Sequence, residues 1–346
     1  GTRNDETLED FIVRRMGREC LDRLAEPLVG GVHGSDPALM SLAATFPNLL
    51  EMEQKYGSMV RGFLAQRKMV EEMKRKYPPK PGDPPKTFFC TFQDGMDTLT
   101  QGMIDAAGRD SIRTGASVTA IERAGSGWRV VLDGGESLDA DAVIVATESW
   151  AAEPLVRPLD VETADALDQI PASSSATVSF GFREDEVDID LNAFGVLCPI
   201  VERSSLLAAT YSSTKWPGRA PAGKVLFRGF VGGPQNQAVM DNSDDALSGI
   251  VLGELRRIMG IKGEPLFSRV YRWHLGMPQY TMGHLDRVEF IEKRCADIPG
   301  LAIAGGSYRG VGLPNCIESG EAAISKVLGE WGISLAEDSA PAPRTH

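Results

Sequence analysis

Residues 300–328, GLAIAGGSYRGVGLPNCIESGEAAISKVL, decide how the chain is read. Leu301, Ala302, Ile303 and Ala304 form an apolar run too short for a helix and bounded by glycines, which predicts a buried strand. Gly305, Gly306, Gly310 and Gly312 follow within eight residues and let backbone approach a ligand closely. Pro314 suits the first turn of a helix, where its missing N–H costs nothing. Ile317, Ala322, Ala323, Ile324, Val327 and Leu328 then recur at helical spacing. A strand, a glycine-rich turn and a helix N-terminus present free N–H groups and a positive dipole end to an electron-rich ligand. The bland reading is a tight connection, since the spacing is not G-x-G-x-x-G and no acidic residue stands about twenty positions on.

The chain has 346 residues, enough for two domains with their own cores. Its 42% hydrophobic and 24% charged content is that of an ordinary globular protein. A net charge of −12 argues against nucleic acid as a partner, because phosphate binding needs a basic face. Five cysteines, widely spread and without C-x-x-C, read as reduced thiols of a cytoplasmic protein. No apolar run approaches the ~18 residues of a transmembrane helix.

Residues 5–77 read as helical, with Leu8, Phe11 and Ile12 on one face, and a break at Pro27 and Gly30-Gly31. Gly34-Ser35-Asp36-Pro37 reads as a turn with Pro37 opening the next helix. An amphipathic stretch runs from Leu49 to Met73, its far end made basic by Arg67, Lys68, Lys74, Arg75 and Lys76. A solvated face explains this; the alternative is a peripheral contact with anionic lipid on the inner face of a membrane. Prolines from Pro78 to Pro85 make a linker. Thr87–Phe92 then reads as a strand, and Gly95-Met96 as a helix start. Ile112–Ile121 and Gly127–Leu132 read as paired strands, Ala142–Thr147 as a buried one. Further strands are expected at 176–182, 193–200, 206–211, 224–230 and 267–273, and helices at 163–170 and 243–259. From Ala336 the chain reads as a disordered tail.

No side-chain catalyst stands out. The four histidines lack metal-ligand spacing, no serine lies in G-x-S-x-G, and Asp244-Asp245 sits at a helix start, where capping accounts for it. No catalytic residue and no metal ligand is assigned. This fits an enzyme whose chemistry a cofactor carries.

With Gly34-Ser35-Asp36-Pro37, Thr91–Met96 and Met277-Pro278-Gln279-Tyr280, the 300–328 stretch resembles the protoporphyrinogen/coproporphyrinogen oxidases, FAD enzymes of the amine-oxidase superfamily. The resemblance runs from near Asp5 to about Leu328. It implies a mixed α/β (α+β) chain carrying an incomplete FAD-binding fold of the two-dinucleotide type, interleaved with a substrate domain. Residues 1–85 would be the helical part of the substrate or membrane-facing domain, 86–150 the middle of the FAD domain, 151–285 the substrate-domain sheet, 286–330 the FAD domain again, and 331–346 a tail. It further implies hydride transfer from the meso carbons of a porphyrinogen to FAD, with molecular oxygen as final acceptor. A homodimer is the expected assembly.

Carried over by position, Val118 matches a residue whose backbone meets the adenine. Gly312, Leu313 and Pro314 match the turn near the flavin, Gly305 and Gly306 the close approach before it, and Trp273 an aromatic near the ring. Gly31 matches a carbonyl facing the macrocycle, and Phe194, Gly195, Leu197 and Thr210 the pocket around the pyrroles. For Val118, Phe194 and Leu197 a plain core role is the competing reading. Missing are the initial G-x-G-x-x-G and the acid that holds the ribose. The expectation is therefore an inactive fragment of a longer oxidase, in which FAD is absent or weakly held. Protoporphyrinogen IX is the expected substrate. Coproporphyrinogen III, an amine or carotenoid oxidoreductase, and a non-catalytic tetrapyrrole-binding module are the alternatives.

Overall fold

A computed structural model of the chain describes residues 5–78 and 90–333, the side chains of residues 30–33 apart. Its strands, in chain order, are β1 (Val118–Ala124), β2 (Gly127–Leu132), β3 (Ser137–Ala140), β4 (Val143–Val145), β5 (Ala172–Arg183), β6 (Gly195–Leu197), β7 (Ala208–Tyr211), β8 (Lys224–Gly232), β9 (Phe267–Pro278) and β10 (Leu301–Ile303). They fall into two compact units. One combines the chain up to Thr114 with Ser173–Met277, the other Gly115–Ala172 with the chain from Pro278.

In the second unit, β10 lies parallel to β4, pairing Leu301 with Val143 and Ile303 with Val145. A parallel pair buries both faces, which is why both strands are continuously apolar. One face packs Val288, Ile291 and Cys295 of the helix His284–Ala296; Ala302 and Ala304 instead pack Ala323 and Val327 of the helix Leu313–Glu330. β1, β2 and β3 form an antiparallel meander anchored by the buried Trp128. Asp160 caps the helix Val161–Asp168, and its carboxylate accepts two bonds from the Arg294 guanidinium at 2.7 and 2.8 Å.

The first unit opens with helices whose core is Leu8, Phe11, Ile12, Met40, Leu42 and Leu50. Its second part is a sheet in the order β6-β7-β8-β5-β9. Alternate residues of the long strands face opposite ways. Ala176, Val178, Phe180, Phe182, Val225, Phe227 and Val231 pack against Leu247, Val251 and Leu255 of the helix Asp244–Met259. The intervening residues, among them Thr177, Ser179, Arg228 and Phe230, point to the other face. Ser243 caps the packing helix by accepting from Ala246 N.

Several elements differ from the sequence reading. Pro37 stands in a turn rather than a helix, because Asp36 accepts Ala38 N through its side chain and Met40 N through its carbonyl. Gly30-Gly31 does not end a helix; Glu26–His33 is helical throughout, with Pro27 in its first turn. The 49–73 stretch is two helices, Pro47–Tyr56 and Met59–Lys76, separated by Gly57 in the left-handed region at φ 64° and restarted by Ser58. Cys90–Phe92 are not in a strand, and the Phe92 and Gln93 carbonyls accept instead from Arg219, each at 2.8 Å. β1 begins at Val118, not Ile112. The linker beyond Pro78, residues 87–89 and the tail from Ala336 lie outside the described residues.

Candidate functional site

The turn after β10 is built by side chains distant in sequence. Ala304 N donates to Val145 O at 3.0 Å, extending the strand pair to the point where glycines begin. Gly305 takes φ 119° and Gly310 φ 150°, conformations that side chains strain against. Gly305 N donates to Ser319 Oγ at 3.0 Å. The Tyr280 phenol donates to Gly306 O at 2.6 Å and accepts from Gly310 N at 2.7 Å, clamping both limbs of the turn. Burial pushes this phenol up to about 12, so it stays protonated and keeps its donor. Its ring stacks on His284 at 3.9 Å. His284 Nε2–H donates to Tyr308 O at 2.7 Å. Burial, with Arg287 and Arg309 nearby, lowers His284 to about 4, so it is neutral.

The turn delivers the chain to Gly312, which starts the helix Leu313–Glu330 without a side-chain cap. Asn315 packs so close to Gly310 and Gly312 that a Cβ on either would stand within 2.6 to 2.8 Å of it. Leu313 is exposed, and Pro314 sits in the first turn. Alongside β4, a hollow of about 330 Å³ is lined by Val118, Ile121, Val130, Leu155 and the run from Ala142 to Thr147 that contains the whole strand. A Cβ on Gly305 would sit 3.7 Å from Ala146 O, so the turn stands at the carboxyl end of β4, and it is at such ends that ligands of α/β sheets bind. Val118, Gly305, Gly306, Gly312, Leu313 and Pro314 thus all belong to one unit.

The other predicted residues belong to the sheet unit. Gly195 pairs with Thr210, Leu197 with Ala208, and Phe194 O accepts from Tyr211 N at 2.9 Å. Phe194 is 65% and Leu197 42% exposed, so neither is a core residue. Trp273 is also exposed, but lies on the opposite edge strand, away from β6. It lines a hollow of about 260 Å³ with Gly34, Thr177, Leu207, Phe230 and Met277. Gly31 lies in the last turn of Glu26–His33, where carbonyls lack an intrahelical partner. No group of three or more potential metal ligands occurs among the described residues.

Residues 2–328 match the family of flavin containing amine oxidoreductases. The chain belongs to that family. It is a flavin-dependent oxidoreductase, with FAD as the family's cofactor. Over 332 residues it is 34% identical to coproporphyrinogen III oxidase of Bacillus subtilis (strain 168), covering 94% of this chain and 68% of the relative. It is 30% identical to the chloroplastic protoporphyrinogen oxidase of Oryza sativa subsp. japonica, covering 93% and 63%. A structure from Exiguobacterium sp. 255-15, provisionally named a protoporphyrinogen oxidase, superposes with TM-score 0.79 at 28% identity, over 95% of this chain and 68% of that one.

The flavoenzyme site has residues that fit one part of its cofactor. An uncapped helix start, two glycines at positive φ and an apolar hollow beside Val118 suit an electron-rich ring edge and a purine. The diphosphate-binding G-x-G-x-x-G is not among these 346 residues. Sequence reasoning missed the role of Tyr280, although it lies in a quoted motif. Nothing in the linear text pairs it with Gly306 and Gly310, 26 and 30 positions on. It also passed over Ser319 and His284, whose only signal is a helical register shared with buried residues.

Proposed function

We propose that this chain is part of an oxygen-dependent porphyrinogen oxidase of haem biosynthesis, with protoporphyrinogen IX as substrate. Membership of a flavoenzyme family carries the oxidoreductase half of this reading. The single observation that supports a macrocyclic substrate is the exposed face of the five-stranded sheet. There Phe230 and Trp273 flank a hollow of about 260 Å³ rimmed by the Thr177 hydroxyl, and no acid–base pair stands near it. A porphyrinogen needs a broad apolar bed rather than a proton relay, because bound flavin would supply the three two-electron oxidations that aromatise the macrocycle.

The chain's residues then have three tasks. Gly305, Gly306 and the Gly312 helix start would hold the electron-rich side of FAD. Val118 would border its adenine. Phe194, Gly195, Leu197, Thr210 and the Gly31 carbonyl would receive the macrocycle; Trp273, expected from the sequence beside the flavin, is proposed for the macrocycle instead because it lines one hollow with Phe230. With neither G-x-G-x-x-G nor a ribose-binding acid in these 346 residues, we expect FAD to be weakly held by the chain alone. A second reading, coproporphyrinogen III, is favoured by that name on the B. subtilis relative and on one from Staphylococcus aureus at 30% identity.

The test joins a G-x-G-x-x-G segment to the chain, supplies FAD and presents each porphyrinogen in air, following porphyrin fluorescence and peroxide. Protoporphyrin formation faster than the spontaneous rate is expected. Turnover of coproporphyrinogen alone selects the second reading, and turnover of neither by flavin-loaded protein overturns both.

A further inference from the structure

The open face of the sheet carries positive charge that no described acid neutralises. Arg228, on the central strand β8, is exposed, and its Nε donates to Ser179 Oγ at 3.3 Å. Arg269 on β9 is also exposed and, among the described residues, donates to the Tyr271 hydroxyl at 3.4 Å. The contrast lies on the opposite face, where Arg272 is fully engaged by Asp244 at 2.7 Å and by Met240 O and Asn242 O. Across the sheet Arg228 stands between Thr210 and Ser179, its partners in register on β7 and β5. Two hydroxyls therefore flank the guanidinium. Phe230 follows two positions along β8 on the same face, about 7 Å away at the rise of a strand.

A flat apolar body resting on Phe230 and Trp273 would place groups on its rim over Arg228. In a chain of net charge −12, an exposed central arginine facing hydroxyls and aromatics is a site for an anion. The planar guanidinium matches a carboxylate in two-pronged geometry. We propose that Arg228 is a positioning residue that anchors a rim carboxylate of a planar polycarboxylated substrate against this face, fixing which edge of the ring lies inward. This rests on the porphyrinogen reading and names the group that orients the substrate.

The test uses protein supplied with FAD and measures binding of coproporphyrin III, a tetracarboxylate, and of its uncharged tetramethyl ester by quenching of tryptophan fluorescence. R228Q is expected to raise Kd for the acid about tenfold, the loss of one charge-assisted contact, and to leave the ester's Kd unchanged. R228K should recover most of the loss. R228Q enters the comparison only when its urea midpoint matches that of wild type. Equal effects on both ligands, or a wild-type protein that does not distinguish them, overturn the anchor and leave the porphyrin reading standing. If wild-type protein binds neither ligand and oxidises neither porphyrinogen, the functional reading falls and the anchor with it.

Discussion

The Tyr280 hydroxyl gives one bond to Gly306 O and takes one from Gly310 N, so the glycine turn is held by a single oxygen. Removing it in Y280F leaves the ring on His284 but strands two backbone groups. The expected cost is about 1–3 kcal/mol, read as a lower urea midpoint, with weaker flavin retention at 450 nm. His284 makes the same region sensitive to acid. Its folded value of about 4 lies below the ordinary 6.5, so the unfolded chain binds the proton first. Native stability is therefore full above about pH 6.5 and falls as pH drops towards 4, by about 3 kcal/mol in all. H284Q keeps a donor for Tyr308 O but no titrating ring. Its Tm should vary less between pH 4 and 6.5 than that of wild type; parallel curves would refute the assignment.

At the scale of elements, the edge pair β6–β7 depends on a glycine. Gly195 has φ 155°, and a Cβ there would meet Ala209 O at 2.1 Å. Backbone cannot yield as a side chain can. G195A should cost about 1–3 kcal/mol and detach the edge that displays Phe194 and Leu197, lowering porphyrin affinity more than FAD affinity. Equal loss of both ligands would mean general destabilisation. The elements also differ in how openly they announced themselves. Ser243 before Asp244–Met259 and Pro314 within Leu313–Glu330 mark helix starts by local chemistry. The strand at Leu301–Ile303 is legible because a parallel strand must be apolar on both sides. Gly57 was harder. Its neighbours continue a helical period, and only its left-handed φ shows that one helix stops and another begins.

At the scale of the molecule, two units with separate cores share one acidic chain. The residues proposed for the flavin lie in one and those proposed for the macrocycle in the other. FAD at ten times its Kd should stabilise the folded chain by about 1.4 kcal/mol and raise Tm by about 2–4 °C. A flat titration up to millimolar FAD, with porphyrin binding intact, would favour a tetrapyrrole-binding module without catalysis.

By itself the sequence determined the strand, glycine turn and helix of 300–328 and the mixed α/β class. These follow from periodicity, capping and residue type within a few positions of one another. Only tertiary structure decided that Tyr280 clamps the turn, that the Phe92 carbonyl accepts from Arg219, and that Arg228 emerges between Thr210 and Ser179 on an open face. Those pairings join residues tens to more than a hundred positions apart, and no local rule of spacing encodes them. They exist because packing brings distant donors and acceptors to within one hydrogen bond of each other.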